Sequence, residues 1–93
     1  MSYEIKFSRR AARAMRKLPN KVQAEVLTTH LPKIASAPRD VGFSLRGKLK
    51  GEWSYHFGHH PEYRILYLID DDEQLITVTT IGSREEIYKR AKR

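Results

Sequence analysis

The side chains best suited to work on a phosphodiester gather in the second half of the chain. Arg46, Lys48 and Lys50 alternate with other residues. On an extended strand such alternation puts them on one face. His56, His59, His60 and Arg64 follow, and Arg84 and Tyr88 stand near the C-terminal end. Cations serve phosphate, and arginine offers a fork that fits two oxygens. Histidine exchanges protons close to neutral pH. One reaction uses this set with no further helper: attack of an RNA 2′-hydroxyl on its own neighbouring phosphorus. The nucleophile then belongs to the substrate. The protein has to align it, remove its proton, stabilise the added negative charge and protonate the departing 5′-oxygen. The products would be a 2′,3′-cyclic phosphate and a 5′-hydroxyl.

Other chemistries lack their residues. The chain has no cysteine, which removes thiol nucleophiles, zinc–cysteine sites and disulfides together. Asp70–Asp72 lack the spacing and the glycine of a calcium loop. His56 and His60 lie across a strand end, not on one helix face, so no metal site is expected. There is no Gly-x-Ser-x-Gly elbow and no glycine-rich phosphate loop. A nicotinamide- or ATP-dependent enzyme would need more chain than this, and no cofactor is expected.

The 93 residues make room for one small domain, 1–93, and carry a formal charge of +7. Residues 1–23 hold seven cations and one acid, Glu4. Four acids sit together at Asp70–Glu73, as expected of a turn. The charge predicts a nucleic-acid partner, an acidic protein partner, or both. Arg9, Arg10 and Arg13 are either a solvated helix face or a contact to phosphate or to a partner. No apolar run approaches the ~20 residues of a membrane span. The N-terminus lacks the apolar stretch of a signal peptide. A soluble, cytoplasmic domain with no membrane contact is expected.

Positioning these groups falls to short elements. Tyr3–Phe7 alternates as a half-buried strand does. Ser8 can cap a helix in which Ala11, Ala14, Met15 and Leu18 recur at helical spacing, stopped by Pro19. Asn20 can cap a second helix, which is expected to kink or end near Leu31 because of Pro32. Ala37–Asp40 reads as a turn and Phe43–Leu49 as a strand interrupted by Gly47. Trp53–Phe57 alternates cleanly, with Trp53, Tyr55 and Phe57 inward and Ser54 and His56 outward. Tyr63–Ile69 reads as a central strand, Gln74–Ile81 as another, and Ser83 can cap a last helix holding Tyr88. Tyr88 either packs that helix or meets substrate. Short turns between successive strands favour an antiparallel meander with helices on one face.

Several segments together resemble the RelE/ParE superfamily of toxins from bacterial and archaeal toxin–antitoxin pairs. They are Phe7-Ser8 before a basic alanine-rich helix, Leu18-Pro19, Leu45-Arg46-Gly47, Gly51-Glu52-Trp53-Ser54, Tyr63-Arg64-Ile65-Leu66-Tyr67 and Ile81–Tyr88. The resemblance implies an α+β fold: an N-terminal strand and helical hairpin packed on a twisted, mainly antiparallel sheet of four to five strands, with a short C-terminal helix. It implies a cognate antitoxin bound in a hetero-oligomer. It implies one of two activities. RelE-like members cut messenger RNA in the 30S decoding site of the ribosome, beside 16S rRNA; ParE-like members inhibit DNA gyrase without catalysis. By resemblance Arg64 and Arg84 act on the scissile phosphate, and Tyr88 stacks on or orients the substrate. The strand that carries lysines in RelE reads Trp53–Phe57 here, so the base falls to His56 or His60, with His59, Lys48, Lys50, Arg46, Arg9 and Arg13 left to RNA contacts.

Overall fold

The computed structural model describes residues 2–91, apart from the side chains of Lys48, Arg90 and Ala91. Strand β1 (Glu4–Phe7) leads into helix α1 (Arg9–Lys17). Ser8 caps α1 as expected, its Oγ accepting from the Ala11 amide at 3.1 Å. Leu18 ends the helix in extended backbone ahead of Pro19. Helix α2 (Asn20–Glu25) follows, and the cap position falls on Pro19 rather than on Asn20, with no side-chain hydrogen bond.

Pro32 does not end the hairpin's second arm. A π-helical turn (Val26–His30) carries α2 into α3 (Leu31–Ser36), with Pro32 in the first turn of α3. The Leu31 amide donates to the Val26 carbonyl across that wider turn. A first-turn proline surrenders no helical hydrogen bond, because its amide would have no partner within α3. The expected turn at Ala37–Asp40 is a short helix, α4 (Pro38–Val41).

Five strands form one sheet in the order β1-β5-β4-β3-β2. The remaining strands are β2 (Phe43–Ser44), β3 (Trp53–Phe57), β4 (Tyr63–Asp70) and β5 (Leu75–Ser83), and helix α5 (Arg84–Ala91) closes the described chain. All pairs are antiparallel except β1 with β5, which is parallel. The helical hairpin between β1 and the later strands is the crossover that a parallel neighbour requires. The strand expected at Phe43–Leu49 stops at Ser44. Gly47 takes φ +71° and starts a 3₁₀ turn, Gly47–Leu49. Arg46, Lys48 and Lys50 therefore do not share a strand face.

Ala11, Met15, Val26, Leu31 and Ile34 from the helices meet Tyr55, Phe57, Ile65, Tyr67, Ile76, Val78 and Ile81 from the sheet. These strand residues define the covered face. Tyr67 donates to the Pro38 carbonyl at 2.6 Å, tying α4 to the middle of the sheet. Burial, with Tyr55 as a lesser cause, pushes the Tyr67 hydroxyl's pKa up to about 12. Gly42 is the close-approach position here: a Cβ at that point would lie 2.0 Å from the Tyr67 hydroxyl.

Candidate active site

The sheet face opposite the helical hairpin collects the chemistry; Ser54 and Leu66 are buried in it, while His56 is exposed and Arg64 half-buried. In β3, Tyr55 and Phe57 enter the core, so period-2 alternation turns Ser54 and His56 outward. The same alternation in β4 turns Arg64 and Leu66 outward between Tyr63, Ile65 and Tyr67. His56 stands directly opposite Arg64 in the β3–β4 register, and Arg64 opposite Gly82 in β5. Gly82 adds no side chain to the row. Directly after it, Ser83 Oγ accepts from the Glu86 amide at 3.3 Å and starts α5. The Arg84 amide donates to the Glu62 carbonyl at 2.9 Å, fixing the start of α5 to the start of β4.

That junction brings the two arginines to one aromatic ring. The Tyr88 ring centroid lies 5.7 Å from the Arg64 Cζ and 5.0 Å from the Arg84 Cζ. Arg64 Nε donates to the Glu62 carboxylate at 2.9 Å. This hydrogen bond holds the Glu62 carboxyl below the usual carboxylate range. A guanidinium has five N–H groups. One is spent on Glu62, and among the described residues no hydrogen bond engages the Nη groups of Arg64. The arrangement is an oriented fork with both tines free, the geometry suited to two phosphate oxygens.

His56 is held below the ordinary imidazole pKa. Partial burial against the sheet is the main cause; the Arg64 and Arg84 charges add to it, while Glu62 opposes. Neutral imidazole is the form that accepts a proton. The cluster thus sets an imidazole of lowered pKa beside two guanidinium groups.

A family model described as ParE-like toxin of type II bacterial toxin–antitoxin system matches residues 5–92. The chain belongs to this toxin family. The toxin is 33% identical to Toxin RelG of Mycobacterium tuberculosis over 90 residues, covering 97% of this chain and all of the relative. It is 28% identical to Toxin RelE of the same organism over 87 residues, covering 94% and 87% of the two. Its fold is similar to the RelBE2 toxin–antitoxin complex from M. tuberculosis, with a TM-score of 0.81 at 31% identity and coverage of 90% and 100%. A mutant of the Escherichia coli toxin RelE in the free state matches at a TM-score of 0.75 and 26% identity, with coverage of 98% and 95%. The α+β fold expected from the sequence is the one observed.

Of the residues singled out in the toxin's sequence, His56, Arg64, Arg84 and Tyr88 come together. His59 and His60 do not join them: they face one another in the β3–β4 connection, ring centroids 4.1 Å apart. They are exposed, and among the described residues no hydrogen bond links them to the arginines. Arg46 and Lys50 are exposed around the 3₁₀ turn, while the side chain of Lys48 lies outside the described residues. Arg9 is exposed on α1. Arg13 lines a groove of about 950 Å³ between α1 and the β5–α5 junction, with Arg10, Lys17, Gly82, Ser83 and Glu86. The fourth histidine is structural. His30 is buried, stacks on Phe57 at 4.1 Å, and bridges the Tyr55 hydroxyl (2.6 Å) and the Glu25 carboxylate (2.7 Å). A carboxylate only accepts, so Nε2–H donates to Glu25 and Nδ1 accepts from Tyr55 when the ring is neutral.

Two residues at the site escaped the sequence reading. Glu62 is the anchor of Arg64, and its position two residues earlier on an extended chain was the available signal. Phe43 is 65% exposed, its ring 5.5 Å from the His56 imidazole. Between them Ser54 Oγ is buried without a hydrogen-bond partner among the described residues. No group of three His, Asp or Glu side chains able to hold a metal ion gathers among the described residues.

Proposed function

We propose that this toxin is a ribosome-dependent mRNA endonuclease that acts in the cytoplasm without a metal ion. The observation that carries the reading is the convergence of a proton acceptor and two arginines on one strand-end cluster: His56 opposite Arg64, and Arg64 and Arg84 flanking Tyr88. The similarity to RelG and RelE toxins supports the same reading.

The chemistry follows from the groups in place. His56 takes the proton of the 2′-hydroxyl. The 2′-oxygen forms a bond to the adjacent phosphorus, and the phosphorane's charge falls on the free Nη groups of Arg64 and on Arg84. The bond from phosphorus to the 5′-oxygen then breaks, and that oxygen takes a proton from solvent. A 2′,3′-cyclic phosphate and a 5′-hydroxyl result. Tyr88, set between the arginines, orients the nucleotide. The ribosome's decoding site, with its 16S rRNA, presents the message to the exposed sheet face. A cognate antitoxin with an acidic segment covers this cationic face in a hetero-oligomer, by analogy with the RelBE complexes.

Translation in a purified system, with and without the toxin, tests the reading when followed by mapping of mRNA ends. New 5′-hydroxyl ends at ribosome-positioned codons are expected. Intact message together with loss of gyrase supercoiling would overturn the nuclease reading in favour of a ParE-like binding role.

A further inference from the structure

We propose that Phe43 is the stacking platform for the nucleobase on the 5′ side of the scissile phosphate. The proposal rests on the nuclease reading and adds a substrate contact to it. Phe43 sits on the edge strand β2, opposite Ser54, and so on the same open face as His56. It is the most exposed large apolar side chain among the described residues, at 65%, and its ring tilts 41° against the His56 imidazole at 5.5 Å. The open face therefore reads, in order across the strands, Phe43, His56, Arg64 and Gly82, with Arg84 and Tyr88 beyond.

Substrate geometry imposes the same order. The scissile phosphate belongs at the guanidinium groups of Arg64 and Arg84. The 2′-hydroxyl that attacks it belongs at His56. The base of that nucleotide is attached at C1′, the carbon next to C2′. A base carried on that neighbouring carbon, two bonds from C2′, and directed away from the phosphate, arrives on the β2 side of His56. Phe43 stands there, about two strand spacings or ~10 Å from the β4 backbone. Tyr88, on the other side of Arg64, is left to the nucleotide that departs. An aromatic face accepts any base, so Phe43 holds position without reading identity.

The test uses ribosomes programmed with a synthetic mRNA, whole or carrying an abasic ribose at the nucleotide 5′ of the cut. Phe43→Ala is expected to cleave roughly 5- to 150-fold more slowly on whole message, the range of one base–aromatic stack. Phe43→Tyr should restore the rate and Phe43→Leu should not. The abasic message should slow the wild-type toxin by a similar factor and slow Phe43→Ala no further. Circular dichroism of each variant verifies that the fold is unchanged, as an exposed edge position requires. Equal cleavage by wild type and Phe43→Ala overturns the platform and leaves the nuclease reading standing. So does full activity of Phe43→Leu, or an effect of Phe43→Ala on antitoxin affinity alone. Absence of cleavage by the wild-type toxin overturns both.

Discussion

Replacing Arg64 by alanine is the most direct test of how the cluster treats phosphate. The side chain is 19% exposed and oriented by Glu62 through Nε, with its Nη groups left free. Alanine removes a positioned cation and the fork it presents. Deleting a single preorganised donor to a developing oxyanion costs ~10²–10³ in rate, and a fork on two oxygens places Arg64→Ala at the upper part of that range. Arg64→Lys keeps the charge but loses both the fork and the Nε bond to Glu62, so it should recover only part of the rate. Because Arg84 lies 5.0 Å from the same Tyr88 ring, both arginines are expected to act on one phosphate. The Arg64→Ala, Arg84→Ala double variant should then fall short of the product of the two single losses. The ion pair lost with Glu62 is part-buried, so stability should fall by about 1 kcal/mol while the fold is kept. The assay is single-turnover cleavage on programmed ribosomes, with urea denaturation as the control for folding. Wild-type cleavage by folded Arg64→Ala, or equal rates for the lysine and alanine variants, would refute the reasoning.

His56→Gln should lower cleavage by ~10²–10⁴, whereas His59→Gln and His60→Gln should leave it near wild type. In the wild-type toxin the rate should fall as pH drops through an inflection below the usual imidazole value, because protonation removes the base, and partial burial, with the Arg64 and Arg84 charges, lowers its pKa; a pH–rate profile checks the sign. Tyr88→Phe should keep most activity and Tyr88→Ala lose about tenfold, the ring and not the hydroxyl meeting the arginines; equal losses in the cleavage assay would reverse that assignment. Gly42→Ala should destabilise the fold by ~1–3 kcal/mol, since its Cβ would overlap the Tyr67 hydroxyl in a packed interior; an unchanged denaturation midpoint would show that the contact is looser.

The sequence made the outward positions legible where a strand alternates. Trp53–Phe57 separates three aromatic residues from Ser54 and His56 without ambiguity, and Arg64 stands out in an apolar strand. What alternation cannot supply is which outward residues of different strands face each other. That depends on register, a long-range property. His60, four residues from Arg64 in sequence, was therefore as plausible a base as His56 until the β3–β4 pairing placed His56 directly opposite. Local readings failed where a single residue was weighed alone. Pro32 alone says that the second helix is interrupted near Leu31, as it is, but not that the chain runs through a π turn at Val26–His30 into α3. The alternation of Arg46, Lys48 and Lys50 carries meaning only on a strand, and Gly47 at positive φ takes the chain out of one.

One irregularity in the sheet decides whether the two arginines can meet at all. The β4–β5 register shifts between Leu66 and Tyr67: Tyr67 pairs with Val78 and Leu66 with Thr80, leaving Thr79 as an extra residue in β5. Were Thr79 instead paired with Leu66 in a regular ladder, Ile81 rather than Gly82 would face Arg64. A one-residue slip sends every later side chain to the opposite face, so Ile81 would leave the core and crowd Arg64. The extra residue is held from three sides. Thr79 Oγ1 bonds to the Glu52 carboxylate and reaches the Leu66 carbonyl at 3.3 Å, and Ser8 Oγ donates to the Thr79 carbonyl at 3.0 Å. Bulges of this kind re-aim side chains beside functional sites. Here the bulge keeps Ile81 buried, sets Gly82 against Arg64, and delivers Ser83 and Arg84 to the start of α5, where the Tyr88 ring meets both guanidinium groups. The anchors come from Ser8 and Glu52, far apart in sequence from each other and from Thr79, which is why neither spacing nor composition could announce them.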